Sequence, residues 1–252
     1  TKYLPRFQKL CDKYGFKPTW LTNYEMMMDD NYVQFVMEVV NEGRGEIGMH
    51  LHAWSTPPEY SLKAEKDNAP YLIEYPEHIM EEKICSMTNI IKEKTGVTPT
   101  SHRAGRWAMN ETYFRLLKKY GYLYDCSATP HIDWRGNGGR TKDSQGSDYS
   151  KASEKPYRMQ EILEIPVTIR NAHGIFGKNA SSIKGKLKSV YHFIKGQNLW
   201  LRPNGHNLDE MLYLIDCVEK SSDDYIMFMI HSSELMPGGS PTFKSEEDIE
   251  KL

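Results

Sequence analysis

Short strand-like runs alternate with helix-period apolar stripes along this whole chain, and consecutive hairpins are absent. Helical bundles and β-sandwiches do not give that pattern, whereas βα units around a parallel sheet do. The clear helical stripes are Leu4, Phe7, Cys11 and Tyr14 before Gly15, and Val33, Val36 and Val40 before Gly43. Two more are Met80, Ile84, Met87 and Ile91 before Gly96, and Tyr113, Phe114 and Leu117 between the capping residue Asn110 and Gly121. Strand-like runs occupy 18–21, 45–52, 98–104, 123–128, 161–169, 199–201 and 225–230. The last, Tyr225-Ile226-Met227-Phe228-Met229-Ile230, is nearly all apolar, as a strand buried on both faces is. A loosely amphipathic helix is expected over 180–196. Another should follow a capping box of Asn207 and Glu210, with Leu208, Met211, Ile215 and Val218 inward, and a last one begins near Ser245. Residues 129–158, rich in Gly, Asp, Ser and Lys, read as an irregular insertion. The expected fold is α/β, its sheet closed or nearly closed into a barrel, in one domain spanning residues 1–252.

Composition narrows the partners. A formal net charge of -2 gives no electrostatic footprint for nucleic acid or an anionic membrane. No apolar run is long enough to span a bilayer and no leader opens the sequence, so a cytoplasmic location is the expectation. The four cysteines (Cys11, Cys85, Cys126 and Cys217) show no metal-ligand spacing and read as buried free thiols. Aromatic residues make up 12 % of the chain, enough to stack on sugar rings or simply to fill a core.

Chemistry concentrates in one run, Gly45-Glu46-Ile47-Gly48-Met49-His50-Leu51-His52-Ala53-Trp54. On a strand, His50 and His52 share a face, about 6.5 Å apart along the backbone. Two neutral imidazoles so placed can share a divalent metal. The plainer reading is one packed histidine and one bonded to a loop carbonyl. Barrel enzymes carry their chemistry at the C-terminal ends of strands, where His50, His52, Arg103, Asp125 and His231 all fall. That common register favours the metal reading.

These segments, in order, resemble the polysaccharide deacetylase (NodB-homology) superfamily. The resemblance lies in Glu46-Ile47-Gly48-x-His50, then Arg103-Ala104-Gly105-Arg106-Trp107, then Tyr124-Asp125-Cys126-Ser127, then Met229-Ile230-His231. It is strongest to a bacterial subgroup associated with surface-polysaccharide loci. The resemblance implies a distorted, incomplete (β/α) barrel and hydrolysis of acetyl groups from an amino sugar or polysaccharide. It also implies a divalent metal cofactor, zinc above others. His50 matches the first metal-binding histidine of the family. The second lies four residues on, where this chain has Trp54, so His52 stands as its substitute. Arg103 matches the arginine that orients the catalytic base, although Gly105 replaces a proline of that motif. His231 matches the general acid. Trp54, Arg106, Trp107 and Asp125 are the candidate substrate contacts. The family's aspartate-bearing first motif has no counterpart ahead of the opening helix. The expectation is therefore a further strand before Thr1, and continuation of the last helix past Leu252.

Two other readings stay open. An amidohydrolase-type barrel also binds metal through a His-x-His strand, but carries it on its first strand. A carbohydrate-binding relative with a decayed metal site is the non-catalytic alternative.

Overall fold

The structure, a computed structural model, describes residues 2–173 and 196–252. The helix expected over 180–196 falls almost wholly outside them. The described residues form two compact units. The first comprises Thr1–Ala128, Ile132–Tyr149 and Pro156–Ile165, and the second Thr129–His131, Ser150–Lys155 and Pro166–Leu252.

In the first unit the expected alternation holds. Its elements are α1 (Leu4–Tyr14), β1 (Thr19–Thr22), α2 (Tyr24–Met27), α3 (Asp30–Asn41), β2 (Glu46–Leu51), α4 (Glu77–Thr95), β3 (Ser101–Ala104), α5 (Glu111–Lys119), β4 (Tyr124–Asp125), β5 (Tyr157–Met159) and β6 (Ile162–Glu164). The strands order as β1-β2-β3-β4-β6-β5, parallel from β1 to β6 and antiparallel only at β5. This mixed α/β architecture with a mostly parallel sheet is the expected class. Among the described residues the sheet is open, with β1 and β5 at its edges.

Local chemistry explains most boundaries. Gly15, Gly43, Gly96 and Gly121 all take positive φ where a helix must stop. Asp29 caps α3 by accepting from the N–H groups of Asn31 and Tyr32, and Asn110 caps α5 through Tyr113. The α4 stripe of Met80, Ile84, Met87 and Ile91 is fully buried. Two other stripes depart from expectation. Tyr14 is 61 % exposed, and Gln8 is buried instead. Its amide is satisfied on all sides, donating to Asp12 and the Arg44 carbonyl and accepting from the Trp20 indole. In α3 the buried face is Tyr32, Phe35, Val36 and Val39, one step round from the expected valines. The larger rings win the interior because they bury more apolar area.

The register sets one row of residues across all six strands. Thr22 pairs with Met49, Met49 with His102, His102 with Asp125, Asp125 with Glu164, and Glu164 with Tyr157. His50 and Arg103 form the next pair along and, by alternation, face the opposite side. Gly48 lets the three strands at the β1 edge approach. A Cβ there would lie 2.8 Å from the Leu21 side chain and 2.9 Å from the Ser101 carbonyl oxygen.

The second unit departs further from expectation. Its strands β7 (Ile169–Ala172) and β8 (Gln197–Trp200) pair antiparallel, and among the described residues its helices are α6 (Leu208–Glu219) and α7 (Glu246–Lys251). The run 225–230 forms no assigned strand, and Ile226 and Phe228 are exposed while Met229 is buried. The capping box is not made, because the Asn207 side chain is occupied elsewhere. It accepts from the Asn204 N–H and donates to the Arg202 carbonyl. Leu214 and Val218, not Leu208 and Ile215, are the buried residues of α6. Ser245 does begin α7, with Asp248 completing its capping box. No described helix is long and apolar enough to cross a membrane. All four cysteines are free: Cys11 and Cys126 are buried, while Cys85 and Cys217 are only half-buried.

Candidate active site

The end of β2 is held from three sides. The His50 Nδ1 lies 2.9 Å from the Arg103 carbonyl oxygen on β3. A carbonyl can only accept, so Nδ1 carries the hydrogen and Nε2 presents its lone pair. Burial, then the neighbouring His52, hold the His50 ring neutral, with a pKa of about 3. A histidine oriented through its other nitrogen in this way is prepared for a metal or a proton at Nε2.

His52 follows in the loop. Its ring lies 4.7 Å from that of His50, edge to face, and stacks on Trp54 at 4.4 Å. The expectation of a shared side is therefore met. Trp54 is itself 44 % exposed and offers its outer face to solvent. Beyond it the loop is anchored by Lys83, a buried residue of α4. Its ammonium donates to the Thr56 and Pro58 carbonyls at 2.5 and 2.6 Å, and burial lowers its pKa to about 8.

The β3 end supplies the opposite wall. The Arg103 Nε donates to the Cys126 carbonyl at 2.8 Å, and its guanidinium lies 5.3 Å from the centre of the Trp107 ring. The turn that follows is left-handed at two successive residues, Arg106 (φ 57°) and Trp107 (φ 64°). Arg106 was a candidate substrate contact. Instead its guanidinium donates to the Ala69 and Gly138 carbonyls and covers the Tyr71 ring, so it ties two loops together. Glu74 reinforces that tie by accepting from the backbone N–H groups of Tyr71, Arg140 and Thr141.

Gly105 explains why this turn can lie against β2. A Cβ there would sit 2.5 Å from the Leu51 carbonyl oxygen and 3.4 Å from His52 Cδ2. Gly105→Ala is expected to cost about 1–3 kcal/mol as an overpacked contact. It should also displace His52, seen as a changed His52 ring resonance; an unperturbed resonance would contradict the close approach.

Asp125 was also expected to face substrate, but it is fully buried among side chains of the core. Its carboxylate lies 2.5 Å from His102 Nδ1, accepts from Ser127 Oγ at 2.9 Å, and bonds the Glu164 carboxyl. On the far side of the imidazole, His102 Nε2 is 2.8 Å from the Tyr113 hydroxyl. Burial and the Asp125 charge push Glu164 well above the usual carboxylate range, so Glu164 keeps its proton. Burial is the largest single influence on Asp125 and acts the same way, but the bond and charge of His102, together with the bonds from Glu164 and Ser127, outweigh it and hold Asp125 below its ordinary value. Ser127 continues the network by accepting from the Ala104 N–H, next to the Gly105 turn. His102 and Glu164 escape a reading by motif. Alternation shows that His102 faces away from Arg103, but only the strand register shows what it meets.

His231 belongs to the second unit. The Arg202 guanidinium donates to its Nδ1 at 2.9 Å, which places the hydrogen of the neutral ring on Nε2. Glu234 accepts from the His231 backbone N–H and from Arg202, and its pKa lies at about 2.

Among the described residues the donor set for a metal is incomplete. His50 fits through Nε2, yet no three His, Cys, Asp or Glu side chains among the described residues converge to hold an ion. Structural zinc takes four ligands and catalytic zinc commonly three from the protein.

No family model matches the sequence. A curated relative, a peptidoglycan deacetylase of Helicobacter pylori, is 27 % identical over 170 residues, covering 65 % of this chain and 52 % of that protein. The chain thus spans about half the length of the curated relative it matches. Among solved structures, a putative polysaccharide deacetylase from Mycobacterium smegmatis aligns at TM-score 0.44 and 19 % identity, over 66 % of this chain and 45 % of that one. A family 4 acetyl xylan esterase from Clostridium thermocellum, in complex with a cobalt ion, aligns at TM-score 0.35 and 20 % identity, over 52 % and 54 %.

Proposed function

We propose, from the polysaccharide deacetylase (NodB-homology) superfamily assignment that the curated relative supports, that this chain is a carbohydrate deacetylase or esterase. It hydrolyses an acetamido or acetyl ester group on an amino sugar or polysaccharide. The observation that carries this reading is the orientation of His50, neutral and aimed by the Arg103 carbonyl so that Nε2 offers its lone pair. A divalent metal, zinc by the sequence resemblance, would polarise the acetyl carbonyl and acidify a bound water. Of the described residues, His50 fits it. Trp54, exposed beside His52, offers a flat face to a sugar ring.

The test is acetate release from N-acetylglucosamine oligomers and from acetylated xylan, with and without added divalent ions. Release from either supports the reading. Binding of these oligosaccharides with no release under any condition would replace it with the carbohydrate-binding alternative. The acid role assigned to His231 has its own check. His231→Ala is expected to lower turnover by about a hundredfold with metal content unchanged. Wild-type turnover in that variant would move the role elsewhere.

A further inference from the structure

The two histidines at the end of β2 are not equivalent, and Asn23 makes them differ. Asn23 caps the short α2 helix, its Oδ1 accepting from the Met26 N–H at 2.9 Å. That bond assigns the two ends of the amide, a choice that would otherwise be ambiguous. The nitrogen end, Nδ2, lies 3.3 Å from His52 Nδ1. An amide nitrogen only donates, so His52 Nδ1 accepts, and the neutral ring carries its hydrogen on Nε2. Glu25 does not reverse this, because its Oε1 stands 3.7 Å from the same nitrogen, beyond hydrogen-bond reach. Trp54, stacked on the His52 face with 19° between the ring planes, fixes the plane in which that hydrogen lies.

His50 has the opposite tautomer, with its hydrogen on Nδ1 toward the Arg103 carbonyl. Two rings 4.7 Å apart thus present unlike ε positions, a lone pair on one and an N–H on the other. A metal shared by both would need two lone pairs.

We propose that His52 is not a metal ligand: Asn23 holds it as an Nε2–H donor, which serves the acetyl carbonyl oxygen of the substrate beside the lone pair of His50. The carbonyl assignment rests on the function proposed above; the tautomer assignment does not. Asn23 is then a positioning residue, acting only through His52. A donor aimed at a carbonyl gains strength as that oxygen becomes an oxyanion, so its effect falls on kcat more than on KM.

The tautomers are read directly in the free protein by two-dimensional NMR of nitrogen-15-labelled histidine. His52 should show a protonated Nε2 and a bare Nδ1, and His50 the reverse. Asn23→Asp keeps the cap of α2, since aspartate caps as well as asparagine, but presents only acceptor oxygens to His52. Its expected result is hydrogen at His52 Nδ1, with kcat for acetate release lowered about a hundredfold and KM little changed. Zinc chloride added to the wild-type protein should move the His50 ring signals and leave the His52 Nε2–H in place. Hydrogen on His52 Nδ1 in the wild type, or its loss from Nε2 on adding zinc, overturns the proposal. Wild-type kcat in an Asn23→Asp variant whose tautomer has switched overturns the carbonyl role. A wild-type protein that releases no acetate refutes the proposed function instead, with the NMR result still deciding whether His52 is a donor.

Discussion

Asp125→Ala is expected to destabilise the first unit by about 3–5 kcal/mol, the cost of breaking a buried ionic network from one side. His102 and Glu164 would keep their burial and lose their shared partner. Urea unfolding at neutral pH measures the loss, and a change below about 1 kcal/mol, ordinary for an exposed site, would contradict the network. Glu164→Gln tests the same row without breaking it, since a glutamine can donate to Asp125 and still accept from the Ala128 N–H. Its effect should depend on pH. Folded Glu164 holds a proton that the unfolded chain releases above the ordinary value of 4.5. The native state therefore loses stability as pH rises above that value, until Glu164 itself ionises. Asp125 acts in the other sense: its depressed pKa stabilises the fold above the ordinary 3.8, and that contribution disappears as pH falls through the folded value. The glutamine variant should thus gain on the wild type as pH rises above the ordinary carboxylate value of 4.5. Parallel stability curves over that range would place the proton elsewhere.

His50→Ala is expected to reduce acetate release by at least about a hundredfold. It removes an imidazole that is held neutral with its Nε2 lone pair presented. It should also weaken zinc binding, while His52→Ala should leave zinc binding nearly unchanged if His52 is a donor. Wild-type turnover in the His50 variant would remove His50 from the chemistry. Equal loss of zinc in both variants would return the pair to a shared ligand role.

The first unit was largely legible in the sequence because its signals are local. Helix stops fall at glycines that take positive φ, the cap of α5 falls at Asn110, and β2 ends at its histidines. The site was legible only in part. Alternation placed His50 and His52 on one side, but tautomers depend on Arg103 and Asn23, which lie 53 and 29 residues away in sequence. A strand-end carboxylate such as Asp125 looks accessible until its cross-strand neighbours, His102 and Glu164, are known. The apolar run 225–230 misled for a related reason. Composition favours burial on both faces, but Ile226 and Phe228 remain exposed, and no ladder is assigned to the run.

The acceptor that orients His50 belongs to the main chain of Arg103, not to its side chain. Replacement of the side chain at that position leaves the carbonyl where the β2–β3 pairing puts it, His50 opposite residue 103. The orientation of His50 is thereby insulated from mutational drift at residue 103, as long as the strands keep their register. A substitution that shifts the register by one residue would turn His50 to the other face and lose the orientation at once. Lineages of this protein can thus vary the residue beside His50 freely with respect to its orientation, while insertions or deletions within β2 and β3 would be purged.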